Sequence, residues 1–233
     1  MKTTRPYFST LFASSLVLVS GCCACRQTAS RPETFNVDFG TWRPALSKQV
    51  GPAAAGSAGD YWNTVGVPWN NAHIQSDLKF ANGQPSPIQV ELINLGGGWG
   101  NSGQMGVKAP MLDGFNYPAN NQGGNSRVIL HRVPAGEYQV YLYGHGTAPL
   151  YYGDYTLSVG GHDYGRKTTS QQGDAVRNTE WVEGSQYVKF ADVTVRKGEP
   201  LDILIRPGGQ VSDASGRTFA DAMICGLQLI PRR

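Results

Sequence analysis

The sequence is short of the features that carry most recognisable functions. Charged residues make up 16% of its 233 positions, below the usual quarter. Lysine and arginine do not cluster, and a nucleic-acid binder concentrates positive charge, so no nucleic-acid partner is expected. No stretch keeps helical apolar periodicity for three turns. Enzyme motifs are missing too. Gly100-Asn-Ser-Gly103 has neither the spacing nor the strand-to-helix setting of a nucleophile elbow, and there is no His-Glu-x-x-His and no phosphate loop. The four cysteines form no framework: Cys22, Cys23 and Cys25 crowd together, and Cys225 lies in an apolar run, where it reads as an inert buried thiol. Gly (30) and Pro (14) fill the deficit, a turn-rich, extracellular composition.

What is present is strand. Phe35–Phe39, Ile88–Leu92, Tyr138–Leu142, Tyr155–Val159 and Leu201–Ile205 alternate in polarity, the mark of antiparallel sheets with one buried face. Pro134-Ala-Gly136, Gly160-Gly161 and Lys197-Gly-Glu-Pro200 punctuate them as turns. In Tyr187–Val195 the apolar parity flips between Phe190 and Val193. A β-bulge near Ala191-Asp192 keeps Val188 and Phe190, then Val193 and Val195, on the core side; a break into two shorter strands does the same. Residues 34–233 fit one all-β domain, with 22–33 as a polar tether.

The first residues read differently. Lys2 and Arg5 precede an apolar stretch from Leu11 to Val19, much shorter than the roughly 20 residues of a membrane-spanning helix and typical of a signal sequence. It ends in Val19-Ser-Gly-Cys22, which resembles the lipobox of bacterial lipoproteins. The resemblance implies a signal peptide over 1–21, a diacylglycerol thioether on Cys22 with palmitate, and a membrane partner through that anchor. The alternative is an ordinary secretory signal cleaved nearby. The 20 lysines and arginines less Lys2 and Arg5 leave 18 cations against 17 acids, so the mature chain is nearly neutral. Cys23 stands where a retention aspartate stands in Gram-negative lipoproteins, which by that likeness favours the outer membrane.

Three segments carry a second resemblance. Val133-Pro-Ala-Gly-Glu-Tyr-Gln-Val-Tyr-Leu-Tyr143, Val193–Ile205 and Ala222–Pro231 are similar to strands of galactose-binding-like jelly rolls, the fold of many carbohydrate-binding modules. Ala53–Asn63 also resembles uncharacterised exported proteins. The jelly-roll likeness implies an antiparallel β-sandwich whose last strand returns beside the first. It further implies a structural calcium between first- and last-strand loops, for which Asp38 and Asp221 lie at the right ends of the chain; no other cofactor is expected.

Ligand contacts are sought in aromatic loops, because a flat ring stacks on the C–H face of a sugar while amides and carboxylates orient its hydroxyls. Trp99 and Asn101 sit in a glycine-rich loop, and Tyr151, Tyr152 and Asp154 follow His145 in Gly144-His-Gly146. The competing reading makes Trp99 and the tyrosines plugs at the sandwich ends, as Trp62 and Trp69 are taken to be. The expected function is non-catalytic glycan binding by an envelope lipoprotein. The rivals are an assembly lipoprotein docking another envelope protein, with an apolar face or bare edge strand, and a polysaccharide hydrolase, with a cleft holding two converging acids.

Overall fold

Period-two alternation turns into two stacked sheets. The structure, a computed structural model, describes residues 32–39, 48–66, 72–100, 109–118, 124–144, 152–169, 180–207, 211–212, 218–219 and 222–232. In chain order the strands are β1 (Phe35–Phe39), β2 (Asn63–Val65), β3 (Ala72–Gln75), β4 (Gln89–Ile93), β5 (Gly97–Gly100), β6 (Gly114–Tyr117), β7 (Ser126–His131), β8 (Gly136–Tyr143), β9 (Asp154–Val159), β10 (His162–Thr168), β11 (Tyr187–Val195), β12 (Leu201–Ile205), β13 (Val211–Ser212), β14 (Thr218–Phe219) and β15 (Gly226–Pro231), with a 3₁₀ turn at Pro110–Asp113. One sheet runs β11-β8-β15-β1-β2 and the other β10-β9-β12-β7-β4-β3. Short hairpins β5-β6 and β13-β14 stand outside them. The protein is an all-β sandwich of jelly-roll type, antiparallel except where β1 meets β2. β15 does return beside β1, with Phe35 opposite Leu229 and Val37 opposite Leu227.

The core lies between the sheets. Val140 and Leu142 of β8, Leu227 and Leu229 of β15, Val128 and Leu130 of β7 and Ile203 of β12 are all fully buried in one cluster. Each such aliphatic side chain contributes about 1.5–3 kcal/mol by leaving water. Tyr138 and Tyr155 enter the same core because their hydroxyls find carbonyls: Tyr138 donates to Pro134 at 2.6 Å and Tyr155 to Tyr143 at 3.0 Å. A buried hydroxyl without such a partner is costly.

The parity flip in β11 is a bulge. Its pairing with β8 shifts between Phe190 and Val193, and Asp192 takes φ 56°. All four valine and phenylalanine side chains thereby reach the core. A one-residue slip without the bulge would turn one pair outward. Gly160 and Gly161, both at positive φ, close the β9-β10 hairpin as a tight turn requires. Gly144 and Gly153 are needed for space instead, since a Cβ on either would collide with the Tyr155 phenol. Cys225 is buried, as its apolar context implies. Among the described residues no helix is long and apolar enough to cross a membrane.

Candidate functional site

The alternation of β8 leaves Gln139, Tyr141 and Tyr143 on the outer face of the five-stranded sheet. Register places Lys189 and Tyr187 of β11 opposite Tyr141 and Tyr143. On the other flank β15 sets Ile230 opposite Gln139 and Gln228 opposite Tyr141. An outer face carrying two tyrosines and an isoleucine is not built for bare water. The protein covers one half, where Tyr143 is fully buried, and leaves the other half part-open, with Tyr141 8% exposed and Gln139 and Ile230 half-buried.

The covered half lies under residues 49–62 and the 3₁₀ turn. Trp62, 5% exposed, packs edge-on to Tyr143 at 6.5 Å and donates its indole N–H to Gly51 at 2.8 Å. The Ala54 N–H donates to the Tyr143 hydroxyl at 3.1 Å, and Gln228 donates to Asn36 Oδ1 at 3.1 Å and to the Ala55 carbonyl at 3.2 Å. Met111 lies so close over Gly226 that a Cβ there would collide with its thioether. This lid is held by hydrogen bonds between buried polar groups, most of which find partners in folded proteins.

Beside it runs an open groove of about 950 Å³, lined among others by Glu33, Ser57, Gln139, Tyr141, Ile230 and Arg232. Tyr141 links the groove to an aromatic cluster. Its ring lies 5.7 Å from Tyr187, which lies 5.7 Å from Tyr143, while Trp181 stands edge-on to Tyr143 at 5.3 Å and to Tyr187 at 6.3 Å. Tyr187 and Trp181 are half-buried, so part of each ring faces solvent. Tyr141 donates to Gln139 Oε1 at 3.0 Å. Burial, seconded by the Glu183 carboxylate, pushes the Tyr141 and Tyr187 hydroxyls above their ordinary pKa. Both stay protonated donors at neutral pH.

Charge gathers at the Tyr187 end. Glu183 sits 3.5 Å from the Lys167 ammonium and 3.9 Å from that of Lys189. Lys167 also donates to the Lys189 carbonyl at 2.6 Å. At the other end Arg232 pairs with Asp192 and stands 3.8 Å from Glu137.

Of the residues singled out from the sequence, Tyr152, Asp154 and Asp38 have described side chains, and none of the three lines this groove. Trp99 is in β5, opposite Phe115 of β6, and its side chain, with Asn101, His145, Tyr151, Asp221 and Cys22, lies outside the described residues. Tyr152 is 8% exposed and Asp154 2%. Arg166 clamps the Asp154 carboxylate, Nε donating at 2.8 Å and Nη2 to the second oxygen. Asp38 is buried on the outer face of β1, where Oδ2 accepts the Gln49 N–H at 2.9 Å and Oδ1 has no partner. Burial raises its pKa from 3.8 to about 7, against weaker opposing pulls from that hydrogen bond and from Lys48. One open carboxylate oxygen suits a cation, but no group of three or more His, Cys, Asp or Glu side chains able to hold a metal occurs among the described residues. The groove itself was not anticipated. Its signal was Tyr138-Gln-Val-Tyr-Leu-Tyr143, where aromatics occupy both faces of one strand.

No family model and no curated protein matches the chain. Among solved structures it is similar to the CBM36-1 domain of a multidomain xylanase from the hindgut metagenome of Trinervitermes trinervoides, at 16% identity over 48% of this chain and 73% of that one, TM-score 0.28. It is also similar to TmCBM61 in complex with β-1,4-galactotriose, at 13% identity over 70% and 86%, TM-score 0.28. A third is Bacteroides uniformis β-glucuronidase 2, at 15% identity over 86% of this chain and 18% of that one, TM-score 0.31.

Proposed function

We propose that the chain is a lipid-anchored protein of the cell envelope that binds carbohydrate without catalysis, in the groove over β8 and β15. The observation that carries this reading is the half-exposed Tyr187–Trp181 pair continuing into an open groove through Tyr141. Aromatic faces stack on the apolar face of a sugar ring, while the Gln139 amide, the Ser57 hydroxyl and the Arg232 guanidinium offer hydrogen bonds to hydroxyls. From Gln139 to Tyr141, the two β8 residues that line the groove, the strand advances about 7 Å. Among the described lining residues Glu33 alone carries a carboxylate, whereas glycoside hydrolysis ordinarily uses two. An anchor at Cys22 would stand at most about 35 Å of extended chain from Pro32, which itself lines the groove, so the ligand would be met near the membrane.

A glycan array probed with the full chain and with its Tyr187→Ala variant tests the reading. Retention of a glycan by the native chain and its loss from the variant, with unchanged urea melts, supports it. Equal retention by both would place the site elsewhere. A second reading, docking of another envelope protein, has one observation in its favour: Ile74 on edge strand β3 is 54% exposed, and an edge strand offers unpaired backbone to a partner.

A further inference from the structure

We infer that the saccharide taken by this groove is acidic, its carboxylate read by Lys189 with Lys167 behind it; the inference rests on the groove being a glycan site and names the class of glycan. Among the described residues two ammonium groups share the Glu183 carboxylate, which leaves one positive charge of that cluster unbalanced. The two lysines are not equivalent. Lys167 is occupied: it donates to the Lys189 carbonyl at 2.6 Å and to Glu183 at 3.5 Å, and lies 5.6 Å from the centre of the Phe190 ring. Lys189 meets Glu183 only at 3.9 Å, beyond hydrogen-bond range. Among the described residues it donates no hydrogen bond, although an ammonium has three donors to place.

Its position is what makes this directional. Lys189 is opposite Tyr141 in the β11-β8 register, and its ammonium stands 6.0 Å from the centre of that ring. Tyr141 is a lining residue of the groove, and its other neighbour on β11 is the half-exposed Tyr187. A sugar stacked on Tyr187 therefore lies beside an ammonium with unused donors, one-third exposed. A neutral hydroxyl would use one such donor weakly. A carboxylate satisfies it with charge, and charge-assisted hydrogen bonds are roughly twice as strong as neutral ones. Glu183 hydrogen-bonds Lys167 and leaves the Lys189 donors for the ligand.

The test is calorimetric titration of the full chain with an oligogalacturonate and with the same oligomer after reduction of its carboxyl groups, which keeps linkage and length. At low ionic strength the acidic oligomer is expected to bind up to about fivefold more tightly, the upper end of what one part-exposed ion pair supplies. That preference should shrink as added salt screens the charges. Lys189→Met should bring the two oligomers to within about twofold of each other, while urea melts confirm that the variant is folded. Equal binding of both oligomers by the native chain overturns the inference and leaves the glycan reading standing. Failure of both oligomers to bind counts against the glycan reading and this inference together. Polyglutamate binding as tightly as oligogalacturonate would show a charge-reading surface indifferent to sugar, which also overturns it.

Discussion

Asp38 sets a pH dependence whose size follows from its burial. Its carboxyl is 1% exposed, holds one hydrogen bond from Gln49 and leaves Oδ1 without a partner. In the folded protein it titrates at about 7, against 3.8 in an unfolded chain. The unfolded state therefore gives up this proton first. The stability tied to Asp38 is present below pH 4 and lost as pH rises towards and through 7. At 1.36 kcal/mol per pH unit the loss reaches about 4 kcal/mol by pH 8, a large part of the stability of an ordinary domain. Asp38→Asn keeps an oxygen for the Gln49 N–H and cannot ionise. Urea melts of both proteins from pH 4 to pH 8 should show near-equal stability at the acid end and an advantage for the variant at pH 8. Other titrating groups cancel in the difference. Parallel curves would refute the reasoning, because Asp38 would then be solvated enough to ionise without cost. Calcium at pH 8 adds a second readout: if Asp38 serves as a ligand, calcium restores native stability and leaves the variant unmoved.

Two further outcomes can be checked directly. Gly144→Ala drives a Cβ into the Tyr155 hydroxyl and should cost about 1–3 kcal/mol, the range for an overfilled core. Adding Tyr155→Phe removes that oxygen, so the double variant should be more stable than the sum of the single effects, by a coupling of at least about 0.5 kcal/mol in urea melts; strict additivity would mean the two residues do not meet. Cys22→Ala should abolish incorporation of labelled palmitate and leave an unprocessed precursor, and full labelling of the variant would overturn the lipid-anchor proposal.

The fold was legible because its signals are local. Phe35–Phe39 and Leu201–Ile205 were read with the bounds the strands have, since five alternating residues between turn formers leave little choice of conformation. The bulge was legible for the same reason: a flip of parity within one strand leaves only two geometries, and Asp192 at φ 56° is the one adopted. β2 and β3 were not legible. Asn63-Thr-Val65 is three residues long, and Ala72-His-Ile-Gln75 has its one large apolar side chain, Ile74, facing solvent. Pattern reading assumes that the apolar face is the buried one, and on an edge strand that assumption fails.

The groove shows where such reading stops in principle. From sequence, aromatics in glycine-rich loops drew attention because flexible backbone cannot bury them locally. Tyr141 and Tyr187 escaped notice because each lies in a regular strand, where an aromatic reads as core. Their significance arises only from pairing. Tyr141 faces Lys189, and Tyr143 faces Tyr187, partners more than 40 residues away in the chain. The bulge that rescues the core of β11 shifts this register, so it also determines which β11 side chains flank Tyr141. Asp192 thus belongs to the site as much as to the fold: had the register of Val193–Val195 run on unbroken, Phe190 rather than Lys189 would stand opposite Tyr141. Sequence supplies the faces of each strand; which faces meet is a property of the sheet, and the groove is written at that level.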